Sequence, residues 1–519
     1  MENSKTVPLN FKSLLLLPLL LFSCAKNDVQ SYESYLKFAS NLQLQQTEAC
    51  TERCTELKKE FRYVVYVGEK IYCYWAEKQA DYKVDFKKIA DEFESQITTK
   101  TTEAEYFSLL VKWAGVFRDG HVNAMMKSDY SDLQFFTTDV RLEILAPGTD
   151  HEKLIVSRIS PNVQILKVGT VVSKIQGKNW TEYIADAEKF TSGSTLQMRR
   201  RQVGNSIFGV LLEKEGARAI KIEGQFNGKD IGETIARNFN LYDGMDPDEP
   251  SETGLNLIKS AILENNIGYL RLDGFSGSQM KKLLDQAMDR LSDTSGIIID
   301  LRKNGGGDLS GNAILSRLIS APINRFHQRA RFSDMLNGLR PSNLIDYDYI
   351  TGEFSEMKAR KVLPAEEKNL YKRPILVLTS AFCFSACDTF VSAIKENKLG
   401  VVIGEATGGG TGNPQTIALP VSSHSFRYSV AQGFTAVSKV LLEGAGTQPD
   451  VVLEPTAEER AQGKDLQLLK AVQYFSNSLI TSGQSTLVSL PQNLITAKTE
   501  AIKNPFEVER DREIRKSND

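Results

Sequence analysis

Three side chains in this sequence have the types needed for nucleophilic acyl transfer: Ser385, His121 and Glu443. A serine hydroxyl is a weak nucleophile at neutral pH and needs a base to take its proton. An imidazole titrates in the useful range, and a carboxylate can fix its tautomer and stabilise the imidazolium. Four histidines are present: His121, His151, His327 and His424. His151 sits in a charged Asp-His-Glu-Lys turn and His327 in a basic stretch, so both read as solvated surface residues. His424, between serines ahead of a strand, competes with His121, which ends Phe117-Arg-Asp-Gly-His121 in a loop after a helix. Glu443 lies beside a Gly/Pro turn in Leu442-Glu443-Gly-Ala-Gly-Thr-Gln-Pro449-Asp450.

The elements around Ser385 decide whether it can react. The apolar run from Pro374 ends at Thr379-Ser380, a turn Ala381-Phe-Cys-Phe384 follows, and a helix starts with Phe390, Val391 and Ile394 on one face. Ser385 therefore stands at a strand-to-helix junction. The helix N-terminus offers unpaired N–H groups, Ala386 first, that can hold an oxyanion. A second buried strand, Gly296 to Arg302, runs into Gly305-Gly306-Gly307. Glycine there lets backbone N–H groups approach a ligand closely, which makes Gly306 and Gly307 the other oxyanion candidates. A purely structural reading also exists: Ser385 with Asp388 three residues on is a capping box. The other motifs lift the catalytic reading above it.

Taken together, Asp300-Leu-Arg-x-Asn-Gly-Gly-Gly307, the strand–Ser–Ala–x–acid–helix unit, Gly404-Glu-Ala-Thr-Gly-Gly409 and Glu443-Gly-x-Gly-x-x-Pro-Asp450 resemble the C-terminal processing (tail-specific) serine peptidases, most of all their tricorn-core branch. The upstream Asp119-Gly-His121 is similar too, and the likeness runs from about Phe107 to Tyr474. It implies a ClpP/crotonase-like α/β fold, Ser385 as nucleophile, and no metal or organic cofactor. The processing-peptidase branch places a general-base Lys after the Gly-Glu-x-Thr stretch; this chain has Gly408-Gly-Gly-Thr411 there. The tricorn-like branch instead implies His121 as base and Glu443 as its partner. That branch carries a Ser before its His where this chain has Gly120.

Composition excludes little but points away from nucleic acid: 519 residues, 41% hydrophobic, 25% charged, net charge −2. Lys5 and Lys12 precede Leu14–Phe22, an apolar run too short to span a bilayer and suited to a secretory signal. Its end, Leu21-Phe-Ser-Cys24, resembles a bacterial lipobox, which implies cleavage before Cys24 and lipidation of that residue. Lys26, with no acid beside Cys24, favours the outer membrane. The expected partners are then a polypeptide substrate and a membrane reached through the lipid. Of the other cysteines, Cys73 is expected to bridge Cys50 or Cys54 in an oxidising compartment, and Cys383 and Cys387 to be small buried hydrophobes.

In chain order, the expected organisation is a signal peptide (1–24), a helical N-terminal domain (25–128), a PDZ-like β-rich domain (129–245), a ClpP/crotonase-like peptidase domain (255–482) and a charged tail (483–519). Arg199-Arg-Arg201 reads as a solvated face, Asp246–Gly254 as a linker, and 322–372 as a polar insertion. The alternative to a peptidase is a catalytically silent protein on the same fold that holds peptides, glycans or apolar ligands.

Overall fold

The computed structural model describes residues 50–126, 139–236, 257–277, 279–331, 353–462 and 465–481, with short pieces within 35–42 and at 500–501. Cys24 and its lipobox, the 246–254 linker, the middle of the 322–372 insertion and all but two residues of the 483–519 tail lie outside the described residues. No described helix is long and apolar enough to cross a membrane.

From residue 50 the chain opens with four helices: α1 (Glu52–Ile71), α2 (Trp75–Tyr82), α3 (Phe86–Ser95) and α4 (Glu103–Val116). Thr102 and Glu105 cap α4 reciprocally, which fixes its start. Its apolar face buries Phe107, Leu110 and Trp113, and its end delivers Asp119-Gly-His121. The strand after that loop, β1 (Asn123–Met125), pairs antiparallel with Ser425–Tyr428 near the other end of the chain. Phe61, Trp113 and Phe117 share one core with Phe426, Tyr428 and Val430. The helical region is thus bound to the late strands by a common apolar core.

The next region is a sheet with one helix across it. Strands β2 (Val140–Leu145), β3 (Lys153–Ile159), β4 (Val171–Ile175), β5 (Ala219–Phe226) and β6 (Lys229–Ala236) pair antiparallel in that order. Helix α5 (Leu196–Glu215) covers this sheet, burying Val203, Ile207, Phe208 and Leu211 against Leu142, Ile144 and Val156. Arg201 is not part of a solvated face. It is 2% exposed, because the side of α5 that carries it faces the rest of the molecule.

The remaining chain builds the expected α/β layer. Strands β7 (Ile258–Leu263), β8 (Ile267–Leu272), β9 (Gly296–Asp300), β12 (Ile375–Thr379), β13 (Val401–Gly404) and β17 (Val451–Val452) form one sheet, and Glu500–Ala501 pairs on β7. From β8 to β17 all pairings are parallel, in the order β8-β9-β12-β13-β17. β9 and β12 are buried on both faces, as their unbroken apolar runs require. Ile297, Ile299 and Val377 face helices α6 (Met280–Arg290), α7 (Asn312–Leu318) and α8 (Ala386–Glu396). Ile298, Leu376 and Leu378 face α9 (Leu466–Thr481).

The stretch expected as a polar insertion instead carries two strands, β10 (Ile323–Ala330) and β11 (Lys358–Val362), which join β16 (Ala431–Phe434) in a small antiparallel sheet. Between the two halves of the late chain, β14 (Gln415–Ala418) pairs with β15 (Ser425–Tyr428). The cysteines also depart from expectation. Cys50 bridges Cys54 and Cys383 bridges Cys387, each four residues apart, while Cys73 is a buried free thiol. In each pair the first cysteine lies just ahead of the helix that carries the second, with Cα atoms 5.2 and 5.4 Å apart, within the span of a disulfide.

Candidate active site

Ser385 sits at the tip of the turn between β12 and α8. Its backbone is in a left-handed conformation, φ 62° and ψ −117°, which a non-glycine residue adopts at a cost. The bend projects the hydroxyl out of the turn. Asp388 holds the bend: its carboxylate accepts the Ser385 N–H at 2.8 Å. The same group accepts the N–H groups of Gly409 at 2.9 Å and Gly410 at 3.1 Å. Burial pushes Asp388 up to about 7 against these three donors. Half of the structural capping reading is therefore present, and it serves to fix the serine.

His121 Nε2 lies 3.0 Å from Ser385 Oγ, although the residues are 264 positions apart. The His121 ring packs on Phe384 with centroids 4.5 Å apart. The Phe384 ring in turn lies on glycine backbone. A Cβ on Gly410 would come within 1.8 Å of it, and one on Gly120 within 2.6 Å. With Phe384 in this place, a side chain at either glycine would require the ring to move.

Asp119 fastens the other side of the imidazole loop. Its Oδ1 accepts the His121 backbone N–H at 2.8 Å, and its Oδ2 accepts from Ser429 Oγ at 2.8 Å. His121 Nδ1 is 3.9 Å from Asp119 Oδ1. Arg427 Nε donates to the His121 carbonyl at 3.0 Å. Burial lowers His121 to about 4, with the Asp119 charge opposing that shift and Arg427 adding to it. Burial thus favours the neutral imidazole, the form able to accept a proton.

Glu443 is near this cluster but does not hydrogen-bond His121. Its Oε1 accepts from Lys78 Nζ at 2.8 Å in a buried ion pair, and Lys78 also donates to the Arg118 carbonyl at 2.9 Å. Burial, with the neighbouring Asp119 charge, raises Glu443 to about 8 despite Lys78 and a hydrogen bond from Ser194. The Ser194 hydroxyl also accepts the Gly120 N–H at 3.1 Å. Ser194 thus anchors the backbone of the histidine loop at Gly120. Asp119, Lys78 and Ser194 were not legible as a group. Asp119 lies two residues from His121, but nothing in the sequence places Lys78 or Ser194 near either.

The oxyanion candidates separate. Gly306 N–H donates to Asn304 Oδ1 at 2.9 Å, so it is already used. Its α-carbon instead packs beside Ser385, where an added Cβ would lie 2.7 Å from Ser385 Cβ and 2.9 Å from Ala386 N. The N–H groups of Gly307 and Ala386 donate to no protein acceptor among the described residues. His424 is remote from this centre: it is 3.0 Å from Glu103 and packs on Phe107. His327 is buried on β10 against the Thr435 carbonyl, not solvated. Among the described residues no cluster of His, Cys, Asp and Glu could hold a metal ion.

An α/β layer with a serine at a strained strand-to-helix bend, paired to a neutral buried histidine, defines a serine-hydrolase type of centre. Residues 266–453 match the model of Peptidase family S41. Carboxy-terminal processing protease CtpA of Bacillus subtilis (strain 168) is 27% identical over 199 residues, 38% of this chain and 37% of that protein. The carboxy-terminal-processing protease of Bartonella bacilliformis is 26% identical over 211 residues, 40% of this chain and 43% of that protein. The match therefore spans less than half the length of either relative. The structure of mature CPAF complexed with lactacystin is similar over 83% of this chain and 100% of that chain, with a TM-score of 0.60 at 15% identity. That likeness supports the α/β fold.

Proposed function

We propose that this protein is a serine endopeptidase acting on polypeptides. The observation that carries the reading is the 3.0 Å contact between Ser385 Oγ and His121 Nε2 at the N-terminus of α8. His121 takes the serine proton as Ser385 attacks the scissile carbonyl, and the N–H groups of Gly307 and Ala386 hold the oxyanion. The imidazolium returns the proton to the leaving amine, and water releases the acyl group by the same route. Asp119 is the carboxylate facing the imidazole, while Glu443, with Lys78 and Ser194, braces the loop that carries it. Both curated relatives are named for carboxy-terminal processing, which suggests polypeptide tails as the substrate. The lipobox-like Leu21-Phe-Ser-Cys24 suggests a mature protein lipidated at Cys24, held at the outer membrane and working outside the cytoplasm.

The test is turnover of unstructured polypeptides together with labelling by a serine-directed phosphonate. Wild-type protein should label at Ser385. Ser385→Ala and His121→Ala should each lower kcat by about three decades or more. Folded wild-type protein that neither labels nor cleaves would sink the reading and leave a binding protein on a peptidase fold.

A further inference from the structure

Arg325, on β10, is fully buried, yet no acidic side chain among the described residues pairs with it. Its guanidinium is spent on neutral oxygens. Nη2 donates to the Ala386 carbonyl at 2.8 Å. Nη1 donates to Asn312 Oδ1 at 2.7 Å and to the Leu309 carbonyl at 3.4 Å. Nε has no hydrogen-bond partner. Burial pulls this guanidinium down to about 9, with only the exposed Asp308 charge opposing. A buried cation without a counter-charge is expensive, and a fold keeps one where a fixed positive field is useful.

The acceptors lie on two segments. Leu309 is two residues past Gly307, and Asn312 begins α7 just beyond it. Ala386 directly follows Ser385. These are the segments that carry the two free oxyanion donors. A guanidinium is a rigid planar fork, so one side chain bonded to both fixes their separation. Its charge also acts on whatever forms between them, strongly in a site shielded from water. We propose that Arg325 is a positioning residue that holds the Gly307 and Ala386 N–H groups at oxyanion spacing. This rests on the peptidase reading given above.

The test compares wild type with Arg325→Met, which keeps length and removes the fork, and Arg325→Lys, which keeps charge alone. Each is assayed for kcat and KM on an unstructured polypeptide. Each is also assayed for affinity toward a peptide aldehyde, which forms a tetrahedral oxyanion on the serine, and toward the matching peptide alcohol, which does not. Arg325→Met should lower kcat about 100-fold with KM within about threefold. Aldehyde affinity should fall by a similar factor while alcohol affinity holds, and Arg325→Lys should recover part of the loss. Should Arg325→Met fail to fold, Arg325→Lys and Asn312→Ala carry the test, each expected to lower kcat about tenfold. Unchanged kcat in the folded variants, or equal weakening of aldehyde and alcohol, overturns the proposal. Wild-type protein inactive toward polypeptide and phosphonate overturns the peptidase reading itself, and this inference with it.

Discussion

At the scale of single residues, the electrostatics of His121 make the sharpest demand. Burial disfavours the imidazolium, so the neutral base survives as pH falls until about 4. The acid limb of kcat/KM should therefore lie near pH 4 to 5, well below the ordinary imidazole range. Arg427 pushes in the same direction as burial, so Arg427→Leu should move the limb upward, and a pH–rate profile of the two proteins checks this. A limb near 6.5 in the wild type would mean the imidazole is solvated during turnover. The acids can be told apart as well. Asp119→Asn removes the charge 3.9 Å from Nδ1 and should lower kcat by about 100-fold or more. Above about pH 8, where the Glu443 carboxylate is charged, Glu443→Gln leaves Lys78 buried without its counter-charge, so its main cost there should be stability, about 3 kcal/mol. If Glu443→Gln loses more turnover than Asp119→Asn at matched fractions folded, the partner role returns to Glu443. Sequence spacing could name both carboxylates but could not rank them, because Lys78, which claims Glu443, sits 365 positions away.

At the scale of elements, the strand-turn-helix unit around Ser385 was readable because every signal in it is local. Ile375–Thr379 is an unbroken apolar run, and the helix that follows has its apolar face at helical spacing. What local pattern could not show is what lies beneath the turn. Asp388 joins the bend to Gly409 and Gly410, and the glycines join it to Phe384 and hence to His121. Asp388→Ala would strand two buried N–H groups and one half-buried one at once. Each such loss costs about 1 to 3 kcal/mol, so the variant should unfold at least about 3 kcal/mol more easily. Its folded fraction should also react more slowly with a serine-directed phosphonate, measured beside its thermal midpoint. A variant as stable and as reactive as wild type would show that the bend keeps its shape without the carboxylate. The strand at Ile323–Ala330 was missed for a related reason: Asn324, Arg325, His327, Gln328 and Arg329 give it a polar pattern, and burial is supplied by the sheet it joins.

At the scale of the whole molecule, the site exists only because three regions hold together. Ser385 belongs to the α/β layer, His121 to the helical region, and Ser194 to the segment leading into α5. The α/β class was legible from the order of strands and helices, whereas the inter-region contacts were not, since each joins side chains far apart in sequence. Arg201 shows the difficulty best. In sequence it is one of three consecutive arginines and reads as solvated. In the fold it bonds Glu143 Oε1 at 2.7 Å and the Ile144 carbonyl at 2.8 Å, and it pairs with Glu405. Glu405 starts the segment that runs through Gly408 and Gly410 beneath Phe384, so this ion pair ties the β-rich region to the floor of the site. Replacing Arg201 with Met leaves Glu405 buried and uncompensated, which should cost about 3 to 5 kcal/mol. Replacing Glu405 with Leu alone strands the guanidinium at a similar cost. If the two form one closed unit, the double variant Arg201→Met/Glu405→Leu should lose far less than the sum, with a coupling of about 2 kcal/mol or more in a double-mutant cycle read by chemical denaturation. Turnover should follow the same pattern, because the floor beneath Phe384 is restored only when neither charge is left alone. Additive losses would mean that Glu143 alone satisfies Arg201 and that the two regions are held by apolar packing.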